Sequence, residues 1–518
     1  MKKSKLLAML LAASLTLAAL TGCGGGATTA AGSADAAANT GAAAGKTDLV
    51  VAASEDIASL DPVGSSALQS QLVYRLLYTR LFATDKDMQT YPELAESWEQ
   101  PSDTEYVFNI YPGAKFSDGS EITAQDVAAS LKRAHESSSF SNLWGTVESI
   151  EATGTHQVTI TTTGPSPALY QTLAHPASAI LPKAYLEQEN AFADWKGLVF
   201  SGRYVISDRE EGVSTTLTAR EDYFDPENAA QNTSLKFLVV TDDSTRTIVV
   251  STGEADVSTK FGTADYETVQ NEKGVKLYET AGTTIQYLGF DTTKAPFDDV
   301  RVRQAVAYAI DRDGILSIAA NGLGTAAYTV IPPSTLGYED ENPAGYSYNV
   351  ETAKALLAEA GYANGFETTI VTFSDTAETI ATAAQAYLSV IGINAKVERY
   401  DTSVRMDMFA NHQCPMFAAQ WGALADAELV LPRLFTEGQV YNWSYFQNDQ
   451  VDALLQQARE STDNTERSSL YAQAVEIIDT ESPWVPVYVP TTYVLANAGL
   501  QGVALDGEGI IDIFALHY

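Results

Sequence analysis

Tyr106-Val107-Phe108-Asn109-Ile110 and Gln157-Val158-Thr159-Ile160-Thr161-Thr162 alternate polar and apolar side chains, the period of two that marks half-buried strands. The stretch Asn349 to Gly361 follows the helical period instead. Ala353, Leu356, Leu357 and Ala360 make one apolar stripe, Asn349 is placed to cap the start, and Gly361 ends it. A second helix opens with Asp375-x-x-Glu378 and stops at Gly392. Val451, Leu454, Leu455 and Ala458 stripe a third. Leu470, Tyr471, Ala474, Val475 and Ile478 stripe a fourth, capped by Asp463-x-x-Glu466. The two periods interleave along the chain without an internal repeat. The expected fold class is therefore α/β (mixed α+β), with mixed sheets.

Working outward, the N-terminus has a different character. Lys2, Lys3 and Lys5 precede an apolar run from Leu6 to Leu20, too short for the ~20 residues that span a bilayer. Residues 1–22 thus read as a secretory signal peptide. Leu20-Thr21-Gly22-Cys23 resembles a lipobox, in which the cysteine thiol becomes the lipidated N-terminus after cleavage. One acyl chain anchors only marginally, so several are expected on Cys23. No other run reaches membrane-spanning length, which points to a chain lipid-anchored outside the cell membrane. Residues 23–47 comprise Cys23 and a stretch of almost nothing but Gly, Ala, Ser, Thr, Asp and Asn, composition that cannot offset ordering entropy and reads as a tether. Folded sequence begins near Asp48 and runs to Tyr518, beyond the ~250–300 residues at which one core stops growing. At least two lobes are expected.

The formal charge is −35, and removal of residues 1–22 takes away three lysines and no acids, leaving −38. Such a surface excludes nucleic acid and adsorption to anionic lipid as partners. Cys23 and Cys414 are the only cysteines, so with Cys23 carrying lipid no intrachain disulfide forms.

Motifs for chemistry are wanting. Gly41-Ala-Ala-Ala-Gly45-Lys46-Thr47 has three residues between its glycines where a phosphate loop needs four, and no strand precedes it. Gly322-Leu-Gly324-Thr-Ala-Ala327 follows a helix, the wrong context for a dinucleotide fingerprint. His135-Glu136 has no second histidine four residues after the first, and no Gly-x-Ser-x-Gly elbow occurs. His412-Gln413-Cys414 offers two soft ligands where a closed zinc site wants four. No cofactor, metal site or catalytic residue is called for, and the expectation is a protein that is not an enzyme.

Several stretches in series resemble the peptide/nickel class of extracellular solute-binding proteins, bacterial family 5. They include Ser54-Glu55-Asp56 through Leu60-Asp61-Pro62, and Tyr91-Pro92-Glu93-Leu94-Ala95-Glu96-Ser97-Trp98-Glu99. Gly113-Ala-Lys115-Phe116-Ser117-Asp118-Gly119 with Ile122 to Val127, Pro296 to Ala305 with Ala309-Ile310-Asp311-Arg312, and Ala353 to Tyr362 continue the series. The resemblance spans essentially residues 48–518. It implies a two-lobed periplasmic-binding-protein-like fold with a two-strand hinge: 48–284 plus 489–518 as lobe I, and 285–488 as lobe II. Trp98, Phe116, Asp118 and Gly119 read as scaffold. Arg301 and Arg303 are expected to pair with Asp298, Asp299 or Asp311 around a helix start.

The same resemblance directs attention to Gln420-Trp421-Gly422-Ala423-Leu424-Ala425-Asp426-Ala427-Glu428. Peptide binders of the family carry an amine-holding aspartate three residues after this tryptophan, where Leu424 stands. The nickel branch carries an aspartate five residues on, matched by Asp426, and a histidine seven residues on, where Glu428 stands. The candidate ligand-binding residues are therefore Trp421, Asp426, Glu428 and Trp144, a tryptophan at a place where the family often has a cleft aromatic. Asp426 as a helix cap and Trp144 as a core residue are the structural alternatives. The implied function is capture of a small solute, an oligopeptide first, for an ABC permease, by a monomeric lipid-anchored protein. A nickel chelate, an opine or an oligosaccharide are alternative ligands; a surface hydrolase and a peptide sensor are rivals of other classes.

Overall fold

The structure, a computed structural model, describes residues 46–518 apart from Glu189, Asp340 and residues 423–425. The signal peptide, Cys23, most of the tether and Leu424 lie outside the described residues. No helix among the described residues is long and apolar enough to cross a membrane.

Local signals act where the sequence places them. The Asn349 side chain accepts from the Thr352 N–H and starts the helix Val350–Glu359, and Gly361 at φ +91° follows its end. Asp463 caps Asn464–Glu481 by accepting from the Thr465 N–H. The helix expected to open on Asp375 is capped one residue earlier: Ser374 accepts from the Ala377 N–H, and Asp375 stands in the first turn. Its carboxylate there complements the helix dipole. Arg301 pairs with Asp299 as expected, whereas Arg303 reaches Glu481 and the Phe297 carbonyl. Trp98 is 43% exposed, edge-on to Phe82, so it is a surface aromatic and not buried scaffold.

A twelve-stranded mixed sheet organises the molecule. On one side the strands Ile393–Arg399, Phe366–Thr372, Met416–Gly422 and Thr284–Phe290 lead to Trp484–Asn497. On the other, Val257–Ser258, Asp48–Ala53, Ser234–Val239, Ser214–Ala219 and Tyr204–Glu210 lead away from it. Trp484–Asn497 is 14 residues long and belongs to both sides. Its first part pairs with Thr284–Phe290 and Gly324–Ala326, and its second with Val275–Ala281.

The chain therefore crosses twice, along Trp484–Asn497 and through the short step between Ala281 and Thr284. These crossings touch: the Gly282 N–H donates to the Pro490 carbonyl at 3.2 Å. A Cβ on Gly282 would lie 2.4 Å from that oxygen, so only glycine permits the approach.

Burial divides in the same way. Two clusters of buried apolar side chains draw only on residues between Ile285 and Val489. Three others draw only on residues up to Val275 and from Tyr493 onward. Along Thr284–Phe290, Ile285 and Tyr287 enter one cluster while Leu288 and Phe290 enter the other, as the pleat requires of a strand buried on both faces. A separate four-stranded antiparallel sheet, which contains Glu105–Ile110 and Gln157–Thr162, packs beneath the helix Ala124–Glu136. The loops at its end reach toward the other half of the molecule.

Candidate functional site

A cavity of about 200 Å³ opens between these halves. One wall is Asn142, Leu143, Gly145 and Thr146 together with Ser166 to Leu169; the other is Glu428, Leu429, Pro432, Arg433 and Arg459. A second space of about 30 Å³ shares Leu143, Thr172 and Leu429 with it.

The first wall is held from behind. Trp144 is 1% exposed and packs in the core against the ring of His135. It is not among the residues that line the cavity, although its sequence neighbours are. Its burial fixes the 3₁₀ turn Ser141–Trp144. The Thr172 hydroxyl donates to the Leu143 carbonyl at 2.9 Å, and the Thr146 and Ser166 hydroxyls lie 2.7 Å apart. In the adjoining space, burial beside Arg75 and Arg80 drops the His175 imidazole to about 3, so it is neutral at ordinary pH.

The second wall is built around two ion pairs. Asp426 is 2% exposed and caps the turn Ala427–Leu429 by accepting from the Glu428 N–H. Both its oxygens accept from Arg467 Nη2 at 2.8 Å. Burial alone would lower the Arg467 guanidinium, but the Asp426 charge, Tyr471 and the hydrogen bonds to both together outweigh it and hold it high. The Tyr471 hydroxyl donates to Glu428 at 3.2 Å, and Arg459 Nε donates to the same carboxylate at 2.6 Å. Burial pushes the Glu428 carboxyl above the usual range, with Arg459 opposing only in part. Asp426 and Glu428 are thus neutralised within this wall by Arg467 and Arg459, from the helices Asn464–Glu481 and Asp449–Glu460. The positive groups beside these carboxylates come from the chain itself.

Trp421, half-buried at the end of Met416–Gly422, has its ring centroid 5.3 Å from that of Tyr441 and 6.4 Å from that of Trp443. The Arg433 guanidinium lies over two of these rings, 5.5 Å from Trp421 and 5.3 Å from Tyr441. Nothing in the sequence marks Arg433, Arg459 and Arg467, since a lone arginine on a helix looks like a solvated one. Elsewhere, His412 Nδ1 lies 2.7 Å from Asp291, while burial raises the Cys414 thiol to about 12. Among the described residues no group of three or more His, Cys, Asp or Glu could hold a metal ion.

Residues 89–442 match the family described as bacterial extracellular solute-binding proteins, family 5 Middle. The chain is 31% identical over 471 residues to the glutathione-binding protein GsiB of Shigella dysenteriae serotype 1 (strain Sd197), covering 88% of this chain and 91% of that protein. Among solved structures it is similar to HbpA2 from Haemophilus parasuis, with TM-score 0.81 and 26% identity over 91% of this chain and 99% of that one. It is also similar to the ABC transporter-associated periplasmic binding protein DppA from Helicobacter pylori in complex with the peptide STSA. There the TM-score is 0.76 and the identity 27%, over 91% of this chain and 98% of that one. GsiB and DppA are binding proteins by name, not enzymes. A match that covers most of the chain, on a fold whose cores divide about two crossing strands, makes this protein a member of the bacterial extracellular solute-binding proteins, family 5.

Proposed function

We propose that this protein is the lipid-anchored solute receptor of an ABC importer, and that it encloses a short peptide between its lobes. The observation that carries this reading is the cavity of about 200 Å³ walled by both halves of a molecule whose two chain crossings touch at Gly282 and Pro490. Clefts between lobes are favoured small-molecule sites, and hinge closure about a few residues is the common motion there. The volume lies below the ~300–1,000 Å³ of pockets for drug-sized ligands, which favours a small solute.

The lobes are taken as 48–284 plus 489–518 and 285–488, in keeping with the separation of the buried clusters at Ile285 and Val489. Trp421 and Glu428 face the ligand in this reading. Asp426 positions the loop through Arg467, and Trp144 stiffens the opposite wall. Peptides are preferred because GsiB carries the name of a glutathione-binding protein and the Helicobacter relative was solved with STSA, both short peptides. Cys23 carries the lipid, and the closed form is what the permease engages.

A ligand shifts open toward closed only by binding the closed form more tightly, through contacts from both lobes. Solution scattering should accordingly give a smaller radius of gyration with saturating peptide, and mass spectrometry of protein denatured after purification should release peptide masses. An unchanged scattering profile at saturation would sink hinge closure. Binding of nickel with histidine, in the absence of any peptide binding, would replace the ligand class. Membrane fractions should hold a chain that begins at a lipid-modified Cys23; an unmodified Cys23 would remove the anchor.

A further inference from the structure

The crossing strand Trp484–Asn497 has two faces, and only one of them looks into the cleft. Successive residues of a strand point to opposite sides. Thr492 lines a space of about 310 Å³ that shares Glu508 with the space of about 30 Å³ beside the cleft cavity. Val489 and Thr491 point the other way. They line a cavity of about 380 Å³ that has no lining residue in common with any of these spaces.

Both halves of the molecule wall this rear cavity. Glu279 to Ala281 come from the strand that ends at the other crossing, whereas Thr325 to Thr329, Tyr338 and Glu341 come from the half beyond it. The volume falls within the ~300–1,000 Å³ of sites for small organic ligands. Glu279 and Glu341 are the charged residues of the lining, and no basic side chain joins them among the described residues. Both are exposed, whereas Thr329, Ile331 and Val489 are buried, so charge lies at the rim and apolar surface deeper in. The Thr329 hydroxyl has no hydrogen-bond partner among the described residues, and neither has Oδ2 of Asp479, which takes the adjacent Val330 N–H on its other oxygen. A buried hydroxyl left unmatched in a cavity wall is a place for a ligand's polar group.

We propose that this rear cavity is a second ligand site, that it takes an organic amine, and that its occupancy favours closure of the cleft in front. The ammonium group meets the rim carboxylates, the hydrocarbon body covers Ile331 and Val489, and a polar group satisfies Thr329. The coupling follows from the hinge. With the Asn142 amide oriented oxygen-inward, Arg433 Nη1 and Nη2 lie 2.7 and 2.6 Å from that oxygen across the cleft. The rear cavity is thus present while the front walls meet. Turning the halves apart about their touching crossings widens the front and narrows the rear. An amine that fills the rear therefore binds the closed arrangement more tightly, and by reciprocity a solute in the cleft strengthens amine binding.

The test uses the mature protein with tyramine and its neutral counterpart tyrosol, calorimetry for binding and solution scattering for the hinge. Tyramine should saturate one site and bind about fivefold more tightly than tyrosol, the scale of an exposed ion pair. Glu279→Gln with Glu341→Gln, both at exposed positions, should bring the two probes level. Thr325→Trp, exposed on the strand Gly324–Ala326, should fill the cavity and abolish binding of both. The radius of gyration should fall with tyramine in wild type and stay constant in Thr325→Trp. Binding that fails to saturate, or that survives Thr325→Trp, is general attraction of a cation to a chain of formal charge −35 and overturns the site. Equal binding of tyramine and tyrosol overturns the amine. Saturable binding with unchanged scattering overturns the coupling, and a peptide that shrinks the particle in the same series shows that the hinge itself moves and the rear site is at fault.

Discussion

Asp426 and Arg433 lie seven residues apart on the same wall of the cleft, and their charges meet opposite fates. Asp426 is sealed in, both its oxygens accepting from Arg467 Nη2, and its partner is as buried as it is. Arg433 faces the cavity with aromatic rings and an amide around it and no carboxylate within ion-pair distance among the described residues. A charge beside a binding cleft is therefore not in itself a binding signal. What matters is whether the protein has already balanced it. Buried pairs are costly to break because one removed partner leaves the other stranded in low dielectric, whereas an unbalanced charge at a cleft can be completed by what enters.

The sharpest way to break this comparison is Asp426→Ala. It strands Arg467 and removes the cap of the turn Ala427–Leu429, so the unfolding midpoint should fall by the equivalent of about 3–5 kcal/mol. Arg433→Gln in the same denaturation series should change stability by less than about 1 kcal/mol, because it strands nothing. Equal effects on stability from the two variants would mean that the two charges are balanced alike.

A smaller effect is expected at the aromatic bed. Trp421→Ala removes one of the two faces that orient Arg433, and affinity for a peptide should drop about tenfold, in line with ~0.5–2 kcal/mol for a cation over a ring. Trp421→Phe should recover most of it. If Trp421→Ala binds as wild type does, the ring is not orienting the guanidinium.

The smallest effect belongs to Glu428, which sits between the two extremes. Its carboxyl is raised in the folded protein, mainly by burial, with Arg459 compensating in part. A raised group contributes stability that is fully present below its unfolded pKa and is lost as pH rises through the folded one. Glu428→Gln keeps an acceptor for the Tyr471 hydroxyl and no longer titrates. The stability of wild type relative to this variant should therefore decline as pH climbs from the ordinary glutamate range into the weakly acidic range. The total change should be about 1 kcal/mol or less. A wild type that instead gains on the variant over that interval would mean that Arg459 dominates and Glu428 is as settled as Asp426.

Much of this was readable one segment at a time. Asn349 and Asp463 cap the helices they were expected to cap, because a cap is a bond to a backbone two or three residues away. Gln157–Thr162 alternates buried and half-buried residues as its period of two demands. Asp375 was misjudged by one residue, since Ser374 competes for the same task and only the backbone angles choose between them. Trp144 and Trp421 are alike in the sequence as candidate ligand-binding aromatics. They differ because one is buried in a core against His135 of helix Ala124–Glu136, while the other is half-buried at the end of a strand.

What the amino-acid sequence determined by itself was the class of fold and the family, and it drew attention to the stretch from Trp421 to Glu428, of which Glu428 lines the cavity. These depend on periodicity and on runs of residues whose meaning is local. Which charges in that neighbourhood are balanced was decided only by the tertiary structure. Arg467 lies 41 residues from Asp426 and Arg459 lies 31 from Glu428, while Asn142 meets Arg433 across the cleft. Electrostatic pairing depends on separation in space and on desolvation, and the packing of two lobes about two strands sets both.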